Sequence, residues 1–179
     1  MQDKSGNQIR GETITMNEKT GLLVATGNVM TLLPLARTDE TAKGNSVGRA
    51  GEFEFDDAKR RAVYVKDAHL EGSTGNVRAD RIELLLASSG NDLQQLTARG
   101  TVKVNVESRE ATGQQLVYHP ADASYVLNGT PVRLMQECQE STGRTLTFYR
   151  GSDKITVDGN EETRVQTRGG KCPESPNRR

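Results

Sequence analysis

A chain of 179 residues has room for one domain or one long repeat array. Its 24 Lys and Arg match its 24 Asp and Glu, so net charge gives it no pull toward nucleic acid, and no interleaved basic and aromatic patch supplies one. With 33% hydrophobic residues and no Trp it is lean for a compact enzyme with a deep core, yet its apolar residues alternate too regularly for a disordered chain.

The opening "MQDKSGNQIR" is polar and resembles strand-flanking sequence rather than a signal peptide. It reads as the start of an excised piece or mature domain with an added Met, its targeting segment missing. "GETITM" (11–16) then alternates polar and apolar, with Ile14 and Met16 facing one way. The turn "NEKTG" (17–21) leads into "LLVATGNVMTL" (22–32). The polar stretch "PLARTDETAKGNSVG" (34–48) reads as a surface loop inserted after this first hairpin. A second pair follows: "GEFEF" (51–55), with Phe53 and Phe55 on one face, the turn "DDAKRR" (56–61), and "VYVKDAHLEG" (63–72), with Val63 and Val65 on the same wall. The third is "ADRIELLL" (79–86), carrying Ile82, Leu84 and Leu86, then "SSGND" (88–92) and "LTARGTVKVNV" (96–106), carrying Val102, Val104 and Val106. The fourth is "TGQQLVY" (112–118), with Leu116 and Tyr118, then "HPADA" (119–123) and "YVLNGTPVRLM" (125–135). The fifth is "TGRTLTF" (142–148), with Leu146 and Phe148, then "RGSDK" (150–154) and "ITVDGNEETRV" (155–165).

Five copies of one pattern make a repeat architecture. The closing arms share a glycine at Gly27, Gly100, Gly129 and Gly159, with Ala68 in its place in the second, and the last two steps are 29 and 30 residues. Alternation at period 2 makes each unit a β-hairpin, and nowhere is helical spacing sustained. A glycine within a strand weakens it unless the backbone bends or bulges there. The repeated glycine therefore predicts an all-β, antiparallel array of about five hairpins of roughly 30 residues, bent along a seam into two hinged sheets. In the fourth unit Val132 and Leu134 are shifted by one relative to the glycine, which a single-residue bulge at Thr130–Pro131 would restore.

Chemistry-bearing residues are sparse. His69 and His119 have no acid, base or nucleophile around them in the pattern, and Asp56, Asp57, Asp80 and Asp158 sit where turns and strand starts explain them. No phosphate loop, metal-ligand spacing or nucleophile elbow is present, so no catalytic residue, metal or cofactor is expected.

The openings with a small pair before an apolar alternation, and closings such as "LTARGTVKV" and "YVLNGTPVRL", resemble the OstA-like family over roughly residues 9–167. That family includes periplasmic lipopolysaccharide-transport proteins of the LptA/LptC type and the periplasmic domain of the outer-membrane translocon. The resemblance implies a V-shaped β-jellyroll with an apolar trough for lipopolysaccharide acyl chains, walled by the inward residues named above. It implies a periplasmic, non-catalytic protein whose open sheet edges join other jellyroll members of a bridge between the membranes. Head-to-tail self-association would then run through the end hairpins "GETITM" and "ITVDGNEETRV". Residues 1–167 would form the domain and 168–179 a flexible tail. Cys138 and Cys172 lie in neighbouring units, so a disulfide in an oxidising periplasm is one reading and two unpaired thiols the other. Two further functions stay open on the residues alone: a fibre or stalk module with a closed core and no ligand, and an enzyme on a β-solenoid. The second needs carboxylates clustered at equivalent repeat positions, and none are found.

Overall fold

The computed structural model describes residues 7–35, 44–72, 75–88, 92–159 and 166–169. Among them run twelve strands: β1 (Gln8–Arg10), β2 (Thr13–Asn17), β3 (Leu22–Leu35), β4 (Gly44–Asp56), β5 (Arg61–Gly72), β6 (Gly75–Leu86), β7 (Leu93–Val106), β8 (Arg109–His119), β9 (Ser124–Gln136), β10 (Gln139–Tyr149), β11 (Ile155–Asp158) and β12 (Gln166–Gly169). They form one antiparallel sheet in which β3 to β10 follow one another in chain order. Each end is finished by two short strands side by side on one long neighbour. β1 and β2 both pair with β3, and β11 and β12 both pair with β10. No described strand pairs with the far edge of β2 or of β11, so the sheet is unclosed.

The five expected hairpins are present as β2–β3, β4–β5, β6–β7, β8–β9 and β10–β11. Their opening arms are longer than the alternation suggested. β4, β6, β8 and β10 begin well before "GEFEF", "ADRIELLL", "TGQQLVY" and "TGRTLTF". The insertion read over 34–48 is corrected for the same reason. Pro34 and Leu35 belong to β3 and Gly44–Gly48 to β4, while residues 36–43 lie outside the described residues. Small polar residues there hid a strand because the interior demands small ones. A Cβ at Gly48 would strike the Tyr64 ring and the Thr31 hydroxyl.

Every pairing between two long strands breaks register near mid-strand, and together these breaks draw the seam; β6–β7 breaks once more beside its turn, between Leu85 and Leu86. The extra residues sit on the closing arms. Gly27 and Asn28 of β3 oppose Gly51 alone, Lys66 and Asp67 of β5 oppose Asp80, and Gly100 and Thr101 of β7 oppose Gln114. Such bulges need unusual backbone, and Gly27 (φ 78°) and Gly100 (φ 99°) supply it. In β5 the bend is made by Lys66 (φ 66°) and Asp67 (φ 55°), so Ala68 is not the equivalent of the glycines. In β9 the bulge is larger than the single residue expected: Gly129, Thr130 and Pro131 oppose Arg144 alone.

The seam divides the sheet into two leaves. The first holds the hairpins 13–26, 52–65, 81–88 with 92–99, 115–128 and 145–158, and the second holds 29–35 with 44–50, 68–72 with 75–79, 102–113 and 132–143. Side chains from both leaves form one apolar cluster, so the leaves pack face to face. Strand pairing reaches Gly169 through β12, two residues into the segment read as tail, and 170–179 lie outside the described residues.

Candidate functional site: the apolar interior and its rim

Because the register is continuous within each leaf, inward residues line up as cross-strand ladders. The first leaf carries two. One runs Ile14, Ala25, Phe53, Tyr64, Ile82, Ala98, Leu116, Leu127, Leu146, Val157. The other, nearer the turns, runs Met16, Leu23, Phe55, Ala62, Leu84, Leu96, Tyr118, Tyr125, Phe148, Ile155. Facing them, the second leaf offers Leu70, Val77, Val104, Ala111 and Leu134 in one ladder that begins at Ile9 and Thr31. Two aromatic groups anchor the interior: Phe53 tilted on Tyr64 at 4.8 Å, and Tyr118, Tyr125 and Phe148 stacked at 4.4 and 4.9 Å.

Most inward residues read from the sequence lie in this interior. Phe53, Ile82, Leu84, Leu86, Val102, Val104, Val106, Leu116, Tyr118, Leu146 and Phe148 are buried in the cluster, and Ile14 and Phe55 pack against it half-buried. Three are placed otherwise. Met16 stands on the inner ladder but is 50% exposed, because β2 ends the sheet. Val63 and Val65 point to the outer face, where their cross-strand neighbours are Glu54 and Glu83, and Glu52 and Arg81. The run "VYV" has apolar side chains on both faces, so alternation alone could not choose between them, and the inward residues are Ala62 and Tyr64. Sequence reading also passed over Leu70, Leu96, Tyr125 and Leu127, although "YVLNGTPVRLM" carries the needed alternation at Tyr125 and Leu127.

The interior is filled by its own side chains. Tyr64, Leu70, Val104, Leu116 and Tyr125 have no solvent exposure. Burial pushes the phenols of Tyr64 and Tyr125 well above their ordinary value of 10.0. Tyr64 OH meets Thr31 Oγ1 of the other leaf.

The outer face and turns are polar. Two shallow depressions flank the seam on β4–β7, one lined by charged and polar residues (Arg49, Asp67, His69, Arg78, Asp80, Thr101) with Ala68 and Ala79, the other by Arg81, Glu83, Gln95, Thr97 and Arg99. Such linings suit water rather than acyl chains. At the turns, a hydrogen bond from Lys59 holds the Asp56 carboxyl below its usual range, and one from Ser124 does so for Asp122. Among the described residues no group of three His, Cys, Asp or Glu is placed to hold a metal ion, and no helix is long and apolar enough to cross a membrane. Cys138 is disulfide-bonded, and Cys172 lies outside the described residues.

An unclosed all-β sheet folded over an apolar interior is a jellyroll-like fold. The family described as the LptA/(LptD N-terminal domain) LPS transport protein matches residues 48–163, and the chain belongs to that family. It is therefore a transport component and not an enzyme. Among solved structures it is similar to LptH, the LptA homologous periplasmic component of the conserved lipopolysaccharide transport device from Pseudomonas aeruginosa. That match has a TM-score of 0.61 at 15% identity and covers 70% of this chain and 95% of the other. No curated protein matches the sequence.

Proposed function

We propose that the protein works in the periplasm and carries lipopolysaccharide by its acyl chains, which lie between the two leaves along the inner ladders. The observation that carries this reading is the pair of unbroken ladders spanning ten strands on a sheet whose outer edges, at β2 and β11, are paired by no described strand. Each methylene moved from water into such an interior gains about 0.8 kcal/mol, which is the barrier an acylated lipid faces in crossing an aqueous space. With the interior filled by side chains, admitting a lipid means parting the leaves at their turn-side rim, opposite the seam. The free edges then serve as joints, since a neighbouring strand completes the hydrogen-bond ladder of β2 or of β11. Partners on this reading are other jellyroll members of the bridge and further copies of this chain. A Cys138–Cys172 bond suits an oxidising compartment and would tie the C-terminal segment to the β9–β10 turn.

The full burial of the inner residues favours a second reading, a structural module whose core is permanently closed. Photocrosslinking in cells separates the two. A crosslinking residue at Val104 or Phe53 should capture lipopolysaccharide, while one at Lys103 or Asn105 on the outer face should not. Equal or absent capture on both faces would sink the carrier reading.

A further inference from the structure

The buried described residues include four polar ones, Thr31, Ser46, Arg109 and Ser124, and Arg109 is the only one that is charged. It sits on the inner face of the second leaf at the rim, cross-strand from Val106 and Gln136. Its guanidinium reaches over to the first leaf. Nη1 donates to Tyr149 O at 3.0 Å and Nη2 to Ser152 O at 2.6 Å. It also lies 5.9 Å from the Phe148 ring centroid, at the end of the stacked aromatic row. Glu107 closes the same contact by accepting from Gly151 N.

This cation is poorly answered. Its two hydrogen bonds go to neutral carbonyls. Its two carboxylate neighbours stand at ion-pair range without a hydrogen bond, Glu107 at 3.9 Å and Asp153 at 3.7 Å, and the Asp153 side chain is fully in solvent. Nε is buried without a hydrogen-bond partner. The turn it holds adds Arg150 and Lys154 to the same rim. A guanidinium presents a planar fork that matches two phosphate oxygens, and charge-assisted bonds to phosphate are stronger than bonds to carbonyls.

We propose that Arg109 is the binding site for the phosphate of an acylated lipid headgroup. In the empty protein it ties the 149–155 turn across the rim. When acyl chains enter beside Tyr118, Tyr125 and Phe148, the headgroup phosphate replaces the Tyr149 and Ser152 carbonyls on the guanidinium and the turn is released. This rests on the acyl-chain reading above and adds to it a charge-reading residue at the point of entry.

The test compares three probes on the full chain: short-chain phosphatidic acid, the diacylglycerol with the same chains, and inorganic phosphate. Wild type should bind phosphatidic acid about tenfold or more tighter than diacylglycerol, the effect expected of a hydrogen-bonded charge pair, and Arg109→Gln should lose that ratio. Amide exchange at Gly151 in wild type should accelerate with phosphatidic acid and not with diacylglycerol, a readout that holds even if the variant folds poorly. Equal affinities for the two lipids in wild type, or a ratio that survives in Arg109→Gln, would overturn the proposal and leave the acyl-chain reading standing. The same release of Gly151 by inorganic phosphate alone would make this a free-anion site and overturn the lipid assignment. Binding of neither lipid would remove the acyl-chain reading and this inference together.

Discussion

Thr31 Oγ1 and Tyr64 OH lie 2.7 Å apart, one from each leaf, and neither residue has any solvent exposure. The bond pins the leaves together in the middle of a mostly apolar interior. Tyr64→Phe leaves the Thr31 hydroxyl buried without that partner, which costs about 1–3 kcal/mol. Adding Thr31→Val removes the stranded hydroxyl and should recover a good part of the loss. Urea denaturation of the two single variants and the double variant reads this directly. Strict additivity would mean the hydroxyls are not coupled.

The same burial makes stability fall in alkali. Below pH 10 the phenols of Tyr64 and Tyr125 are neutral in both the folded and the unfolded chain, and their contribution is fully present. Above about pH 10 the unfolded chain gives up protons that the folded chain keeps, because both folded values are raised. Unfolding therefore gains, and stability declines as pH climbs toward the folded values. Urea midpoints measured from pH 8 to 11 should drop at the upper end, and the Tyr64→Phe, Tyr125→Phe double variant should flatten the drop. An equally steep decline in that variant would place its cause elsewhere.

Much of this interior could be read from spacing because burial on one face of a strand imposes period 2. Ile82, Leu84, Val102, Val104, Leu116 and Leu146 follow from that rule alone. Where the rule failed, a physical reason is visible. At 62–65 both faces are apolar, so the phase is ambiguous and spacing selects Val63 and Val65 in place of Ala62 and Tyr64. At 44–50 the inward residues are Ser46, Gly48 and Ala50, with the Tyr64 ring filling the space at Gly48, and a strand of small residues looks like a loop. Arg109 was invisible for another reason. A charged residue beside a turn reads as solvated, and only its reach to Tyr149 and Ser152, forty or more positions away, buries it.

The seam makes a separate demand on Gly100. Its φ of 99° disfavours a side chain, and a Cβ there would strike the Asp80 carboxylate, which accepts from Thr101 N. Gly151 has a comparable φ of 68° but open space around it. Gly151→Ala should therefore cost about 1 kcal/mol, the ordinary penalty of left-handed backbone, and Gly100→Ala clearly more, about 2–3 kcal/mol. Asp80→Ala in the Gly100→Ala background should recover part of the difference by clearing the clash. Thermal or urea melts of the three variants decide it. Equal costs at Gly100 and Gly151 would mean that the bulge relaxes around a side chain.

The two ends of the sheet carry apolar residues that a neighbour could cover: Ile9 and Ile14 at one end, Ile155 and Val157 at the other, all only partly buried. A charge pointing inward from an edge strand is a known way to block pairing with another chain. In an isolated protein, lysine at position 157 can bend its ammonium out to water past the open end. In a head-to-tail array the same position would be enclosed by the β2 end of the next copy, and the ammonium would be buried. Val157→Lys should thus lower the mass seen by light scattering at high protein concentration while moving the melting temperature little. Ile14→Lys, at the opposite end, should do the same, and mixing the two variants should not restore assembly beyond the dimer joined through their unaltered ends. Unchanged scattering mass in both variants would rule out joining through these edges.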